Sequence, residues 1–524
     1  MGGVEHALKE LAIVVAATLG AGVVVADVLR RRGLTWTWAT PGLLVALGLT
    51  SINPIAGAVT GVASLTACLL GATWHRSDCH YGADFAEAAD NRLGPLAALH
   101  RHRHHRSIKR AEWIKDGWLA VGRDRRGLPV SIPVGCESGC HTLVVGATGS
   151  GKTVSETWIA CRLIEQGRGA IVVDPKGDRL LRDQLEATSD RTGRRFLEWT
   201  PGDGPCSYNP YGRGGDTEIA DKALAGETFT EPHYQRQAQR YLGHAVRTMR
   251  AAEIPVTPAS LMAQLDPREL EVTARSLPER DGAVVEAYLD GLSERQRRDL
   301  AGVRDRLSIL AESDTKTWLT PAEGIPPIDL HAAVRERAIV YFRLDADRRV
   351  LLSQMLAAAI VSDLVTLVAD LQTDPVPTVV VVDEFAATAA GQVARLFGRA
   401  RSAGVSLILG TQELADLKTA GEGLREQTLG NATSVIAHRQ NVPESAELIA
   451  AMARTKPVWV TTDQTEEGLL GYGRSGRGTR RRGYEYTIHP NRIKQLTTGS
   501  AAVIAPGFGE PTIAEMCHPS EVHR

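Results

Sequence analysis

The run Gly146-Ala147-Thr148-Gly149-Ser150-Gly151-Lys152-Thr153 spaces its glycines, lysine and hydroxyl as G-x-x-x-x-G-K-T, the pattern of a phosphate-cradling loop. Glycines at 146, 149 and 151 let the backbone curl so that successive N–H groups face phosphate oxygens, and the positive end of a following helix adds to that field. Lys152 would reach the β- and γ-phosphates, and Thr153 would offer its hydroxyl to Mg²⁺. Such a loop needs an acidic partner on a nearby strand, which Thr378 to Phe385 (TVVVVDEF) supplies. Asp383 is the expected metal-shell carboxylate, and Glu384 is placed to polarise an attacking water. That glutamate, with no N-K-x-D guanine-reading motif in the chain, favours ATP over GTP. Gln412, at the end of Gly410-Thr411-Gln412, completes the set as a sensor of the γ-phosphate or water.

These groups need strands to hold them. His141 to Val145 reads as a short buried strand feeding the loop, and Val154 to Gln166 has helical periodicity. Four consecutive valines before Asp383 suit a strand buried on both faces. Further strands are expected at Ala170–Val173, Ala338–Phe342, Val405–Leu409 and Ser434–Ala437, a spacing that predicts a mostly parallel α/β sheet covered on both sides. A polar residue at the C-terminal tip of a central strand, as Gln412 would be, faces the ligand crevice of such a sheet. From about Asp216 to Val334 no strand-like run occurs. Leu300, Val303, Leu307 and Leu310 share one helical face, Ser293 and Gln296 make a capping box, and Pro258 and Pro267 suit first helical turns. An all-α domain over 216–334 therefore interrupts a nucleotide-binding domain of 118–215 and 335–515, leaving a tail of 516–524.

With 60 Lys+Arg against 61 Asp+Glu, the chain has no global polyanion-binding charge, so any nucleic-acid surface must be a local patch. Seven cysteines scattered over 524 residues do not form a disulfide framework. Cys136 and Cys140 resemble half a zinc site without a second half.

At the N-terminus, Leu11 to Leu29 is apolar apart from Asp27, and a second apolar region from Leu34 to Trp74 is divided by Asn53-Pro54. A hydrocarbon core of ~30 Å needs about 20 helical residues, which predicts an anchor over 1–76 with three spans, 8–29, 34–52 and 55–74. Positive charge favours the cytoplasmic side. Arg30, Arg31, Arg32 and the basic run His100 to Arg110, within a juxtamembrane linker of 77–117, put the remainder of the chain in the cytoplasm and the run near lipid headgroups.

The densest basic tract beyond the linker is Gly471 to Tyr486 (GYGRSGRGTRRRGYEY), read as a glycine-rich flexible loop. Arg474, Arg477, Arg480, Arg481 and Arg482 are DNA-contact candidates, following phosphates without reading sequence, with Tyr472, Tyr484 and Tyr486 available to stack on bases.

Taken in order, GATGSGKT, IVVDPKGD (Ile171 to Asp178), YNP (Tyr208 to Pro210), VVVVDEFA, GRARSAGVSLILGTQEL (Gly398 to Leu414) and GNATSVIAHR (Gly430 to Arg439) resemble the TraG/TraD-like coupling proteins of conjugation and type IV secretion, over roughly Trp118 to Glu515. The resemblance implies an inner-membrane-anchored RecA-like P-loop ATPase with an inserted all-α domain. It further implies a homo-hexamer delivering relaxase-bound DNA, or another secretion substrate, to transfer-channel components. It maps a trans-acting arginine finger to Arg401, with Arg399 and Arg395 as neighbours. Three spans where the family usually has two, and a short tail without an acidic extension, depart from its pattern. Two other readings stay open: an FtsK-like ATPase that pumps protein, and an ATP-gated cargo receptor with little motor activity.

Overall fold

The computed structural model describes residues 2–31, 36–78, 112–135, 138–227, 229, 231–388, 390–468, 471–505, 507 and 509–520. The basic run His100 to Arg110, together with Arg32 and Cys136, falls outside them.

A single large sheet organises the part of the chain after residue 112. Its strands are β1 (Ile114–Lys115), β2 (Trp118–Arg123), β3 (Pro129–Pro133), β4 (Thr142–Val145), β5 (Gly169–Asp174), β6 (Phe196–Thr200), β7 (Gly204–Pro205), β8 (Ile339–Arg343), β9 (Thr378–Val382), β10 (Val405–Thr411) and β11 (Ser434–Ala437). After a separate ribbon of β12 (Thr455–Gly468) and β13 (Gly471–Tyr486), the chain returns to it with β14 (Ser500–Ile504) and β15 (Thr512–Met516). The strand order is β1-β2-β15-β14-β11-β4-β10-β9-β5-β8-β6-β7, with β3 on β2. From β11 through β6 every neighbour is parallel, whereas β14, β15, β2 and β3 extend the β11 edge antiparallel. Every residue of β4, β5, β9, β10 and β11 is buried, as strands covered on both faces by crossover helices must be. The expected parallel α/β sheet is present, and its antiparallel margin is an addition.

One face of the sheet packs on the helix Lys152–Glu165, whose Trp158, Ile159, Leu163 and Ile164 join Val144, Val172, Val381 and Ile408 in one core. The other face packs on the apolar helix Val350–Asp370 and continues into a helical region. Between Asp216 and Arg335 every regular element among the described residues is helical. Leu300, Val303, Leu307 and Leu310 are buried on the helix Glu294–Ala311, whose capping box is Ser293 with Gln296. Pro258 and Pro267 each start a helix, where the missing N–H of proline costs nothing.

The N-terminal segment forms α1 (Gly2–Arg31), α2 (Thr40–Thr50) and α3 (Pro54–Asp78). The expected single span over 34–52 is not one helix: a 3₁₀ turn at Trp36–Ala39 precedes α2, where Pro41 sits in the first turn. With 11 residues, α2 is about 16 Å long. Pro54–Ala72 of α3 is long and apolar enough to cross a membrane, and Ile13–Leu29 of α1 is a shorter apolar stretch. The helix Val350–Asp370 passes the same length and apolarity test, but it is a core helix, mostly buried.

The tract Gly471–Tyr486 is not a loop. As β13 it pairs antiparallel along its length with β12 in the two-stranded ribbon. Pairing supplies the backbone partners that its glycines and arginines gave no sign of.

Candidate nucleotide-binding site

β4 runs straight into the loop, and the loop turns into the helix Lys152–Glu165 through Gly149 and Gly151, at φ of 74° and 105°. Side chains with a Cβ resist that region, so both glycines are needed for the curl. Three contacts brace it from outside. Ala147 N–H donates to Arg439 O at 3.0 Å, Gly499 N–H to Ser150 O at 3.0 Å, and Thr498 Oγ1 to Gly149 O at 3.1 Å. Beneath it, His438 Nε2 lies 3.0 Å from Ser155 Oγ and Nδ1 lies 3.1 Å from Ser500 O. Burial lowers the His438 pKa to about 4, so the imidazole is neutral.

Parallel register brings the second half of the site to the same edge. Thr411 of β10 stands opposite Val145, and Leu409 stands opposite Val382 of β9, so the residues following β4, β9 and β10 emerge together. Lys152 Nζ is ion-paired with Asp383, and it lies 3.2 Å from Glu384 Oε1 and 3.8 Å from Glu156 Oε1. Gln412 Nε2 donates to Glu384 Oε1 at 3.2 Å, and Thr148 Oγ1 donates to Gln412 Oε1 at 3.4 Å. Glu384 has a left-handed φ of 47°, and its own N–H donates to Asp383 Oδ1 at 2.8 Å. Gly410 makes room for this cluster, because a Cβ there would land on Glu156 Oε1 and Asp383 Oδ1. Lys152, Asp383, Glu384 and Gln412 thus converge, with Thr153 in the first turn beside them.

Lys152 is not the exposed loop residue its position implies: it is 7% exposed. Burial works against its charge, but Glu156, Asp383 and Glu384 outweigh that and raise its pKa. Glu156 is fully buried, and neither carboxyl oxygen has a hydrogen-bond partner. Burial first, then repulsion from Asp383, raises its pKa well above the ordinary glutamate value, so its charge is disfavoured. At Glu384 burial also pushes upward, yet Lys152 and Lys176 outweigh it and lower the pKa. Asp383 and Thr153 are hard oxygen donors of the kind Mg²⁺ takes, and Asp383 already holds a cation in the form of the Lys152 ammonium.

Arg401 lies elsewhere. It precedes β10 at the N-terminal end of that strand, whose 7 residues from Val405 to Thr411 span about 20 Å. Its side chain is exposed, and its carbonyl accepts from Gly139 N–H at 3.0 Å. Arg395 and Arg399, on the helix Ala390–Ala400, line a cavity of about 510 Å³ together with Glu218 and Asp221. Arg401 thus lies at the end of β10 opposite the loop.

Glu156, Asp174, Lys176 and His438 also build the site, and the motifs alone give them no role in it. Asp174 ends β5 and accepts from the N–H groups of Lys176, Gly177 and Asp178 at 2.9, 2.8 and 2.7 Å and from Tyr341 Oη at 2.8 Å. Its signal was the DPKGD turn after a strand, and β5 pairs with β9.

In the ribbon, register divides the basic candidates. Arg480, Arg481 and Arg482 lie opposite Thr461, Val460 and Trp459, and Arg482 stacks over the Trp459 ring at 5.3 Å. Arg474 lies opposite Thr465, next to Glu466 and Glu467 in the paired strand, and Arg477 adjoins Gly478, which pairs with Asp463. Tyr484 is 77% exposed, whereas Tyr486 packs back on the main core and against His489.

The sheet order, the loop and the acidic strand end define a RecA-like P-loop nucleotide-binding fold. Comparisons with solved structures agree: the chain superposes on the conjugative coupling protein TrwBΔN70 with a TM-score of 0.54, at 18% identity, covering 78% of this chain and 90% of that one. TrwB with ADP and Mg²⁺ gives 0.53 at 18% identity, covering 79% and 91%, and VirB4 of Thermoanaerobacter pseudethanolicus gives 0.51 at 14%, covering 78% and 99%. Residues 377–498 match the family model TraG-D_C, described as the TraM recognition site of TraD and TraG. No curated protein sequence matches. Residues 377–498 are thus similar to the TraD and TraG segment that the motif order points to, and the fold is similar to that of the coupling protein.

Proposed function

We propose that this protein is a membrane-anchored ATPase that couples ATP hydrolysis to the recruitment and translocation of relaxase-bound DNA into a conjugative or type IV secretion channel. The observation that carries the hydrolytic part is the convergence of Lys152, Asp383, Glu384 and Gln412 at the C-terminal edge of β4, β9 and β10. With ATP in the loop, Lys152 leaves the carboxylates for the β- and γ-phosphates, and the backbone N–H groups of 147–152 hold the phosphate oxygens. Thr153 and Asp383 would hold Mg²⁺, which when bound neutralises charge on the phosphates. Glu384 accepts a proton from the attacking water as the γ-phosphoryl leaves ADP, and Gln412, bonded to Glu384, orients that water. Arg401, out of reach in its own chain, serves a neighbouring subunit's site in a homo-hexamer.

The N-terminal helices support the anchor. Gly22, Gly42, Gly57, Gly61 and Gly71 face the neighbouring helix, while Ile13, Leu44, Leu47, Ile52 and Ile55 are 68–82% exposed. Small residues inside and large apolar ones outside is the arrangement of helices packed in lipid. The positive flank at Arg30 to Arg32 supports a cytoplasmic ATPase domain, with α1 and α3 spanning and α2 running back along α3. The Arg480–Arg482 end of the ribbon is the DNA-contacting surface, sequence-independent because arginines follow phosphates. By its likeness to the TraD and TraG segment, 377–498 is where a relaxosome protein docks.

The test is ATP-dependent displacement of streptavidin from end-biotinylated DNA by the full-length protein in nanodiscs. The motor reading predicts displacement by the wild type and none by Glu384→Gln. Hydrolysis stimulated only by a protein substrate would favour the protein-pump reading, and binding without displacement the receptor reading.

A further inference from the structure

Lys176 lies on the turn that follows β5, and its Nζ sits 2.8 Å from Glu384 Oε1. The turn is rigid where it matters, because Asp174 accepts three of its successive N–H groups and is itself buried. Glu384 Oε1 therefore meets three donors, from Lys152, Lys176 and Gln412. Two of them have other work: Lys152 belongs to the phosphates once nucleotide binds, and Gln412 carries no charge. Asp383 adjoins Glu384 and repels it, and nucleotide brings further negative charge. A carboxylate beside like charges swings away from them unless a donor holds it.

We infer that Lys176 is the positioning residue of Glu384, the donor that keeps this carboxylate aimed at the attacking water after Lys152 has moved to the phosphates. Lys176 is 43% exposed along its side chain, so it is part of no core and its replacement removes a charge rather than packing. The inference rests on the ATPase reading above and assigns a role that neither the loop nor the acidic strand end requires.

A double-mutant cycle tests it, with Lys176→Met and Lys176→Gln each made in the wild type and in Glu384→Gln, all as full-length protein. In the wild type both changes are expected to lower kcat at least about tenfold while the KM for ATP stays within about twofold, because the contact serves the water and not the nucleotide. In Glu384→Gln the same changes are expected to cost nothing further, since residues acting as a unit are non-additive. Unchanged kcat in both variants overturns the inference. A raised KM at unchanged kcat overturns it in favour of a phosphate contact, and an equal loss in the Glu384→Gln background overturns it in favour of a structural role. Wild-type rates in Glu384→Gln itself would remove Glu384 as the water-activating residue and overturn this inference, whereas no hydrolysis by the wild type would remove the ATPase reading beneath it.

Discussion

Glu156 and Glu384 face the same ammonium, that of Lys152, at 3.8 and 3.2 Å, yet their surroundings drive the two carboxyls in opposite directions. Burial raises the pKa of Glu156, which has no hydrogen bond, whereas at Glu384 Lys152 and Lys176 outweigh burial and lower it. Environments that separate two carboxyl pKa values assign them different roles. Glu156→Gln keeps the shape of a side chain whose charge burial already opposes and is expected to retain turnover within about tenfold, whereas Glu384→Gln is expected to lose at least about a hundredfold and to retain bound ATP. Steady-state rates and nucleotide retention of both variants check this, and equal losses would contradict it.

The burial of Lys152 changes what its removal should do. Lys152→Ala abolishes hydrolysis, but it also leaves Asp383 without its ion pair in a buried site. Breaking a buried pair from one side costs about 3–5 kcal/mol. Thermal unfolding of the nucleotide-free variant should show a clearly lowered Tm. An unchanged Tm would mean that the ion pair contributes nothing to the resting fold.

Stability should depend on pH through the histidine under the loop. His438 titrates at about 4 in the fold and at the ordinary 6.5 when unfolded, so between those values the unfolded state binds more protons. Its contribution is present above pH 6.5 and disappears as pH falls toward 4, by about 3 kcal/mol in full. Denaturant unfolding over this range should show a slope that His438→Gln reduces; an identical slope would contradict the assignment.

Arg480→Ala, Arg481→Ala and Arg482→Ala together should weaken binding of all DNA sequences alike and flatten its salt dependence by about 0.7–0.9 for each phosphate no longer neutralised. Arg474→Ala with Arg477→Ala should do less, because Asp463, Glu466 and Glu467 on the paired strand offset that end of the ribbon. Equal effects of the two sets, measured by salt titration of binding, would overturn the division.

The buried strands were legible in the sequence because a strand covered on both faces is a run of Val, Ile and Leu, and the loop because its geometry demands glycine and lysine at fixed spacing. Leu300, Val303, Leu307 and Leu310 announced their helix for the same reason of periodicity. The ribbon was not legible: a tract dominated by glycine and arginine carries no burial signal, and only pairing with Thr455–Gly468 makes Gly471–Tyr486 a strand. Nor was the break before α2, although Pro41 marked it in retrospect. The cation and carboxylate partners of Glu384 were hidden because they come from β5 and from the helix after the loop, elements whose adjacency only the sheet order reveals.

The central claim is that this ATPase site works for DNA. Steady-state ATP hydrolysis by the full-length protein in nanodiscs, with and without DNA, tests it most directly, with Glu384→Gln as the control. The account predicts hydrolysis that rises at least about tenfold with DNA and is at least about a hundredfold lower in Glu384→Gln under both conditions. Hydrolysis of the same rate with and without DNA, at DNA concentrations that saturate binding, would contradict it.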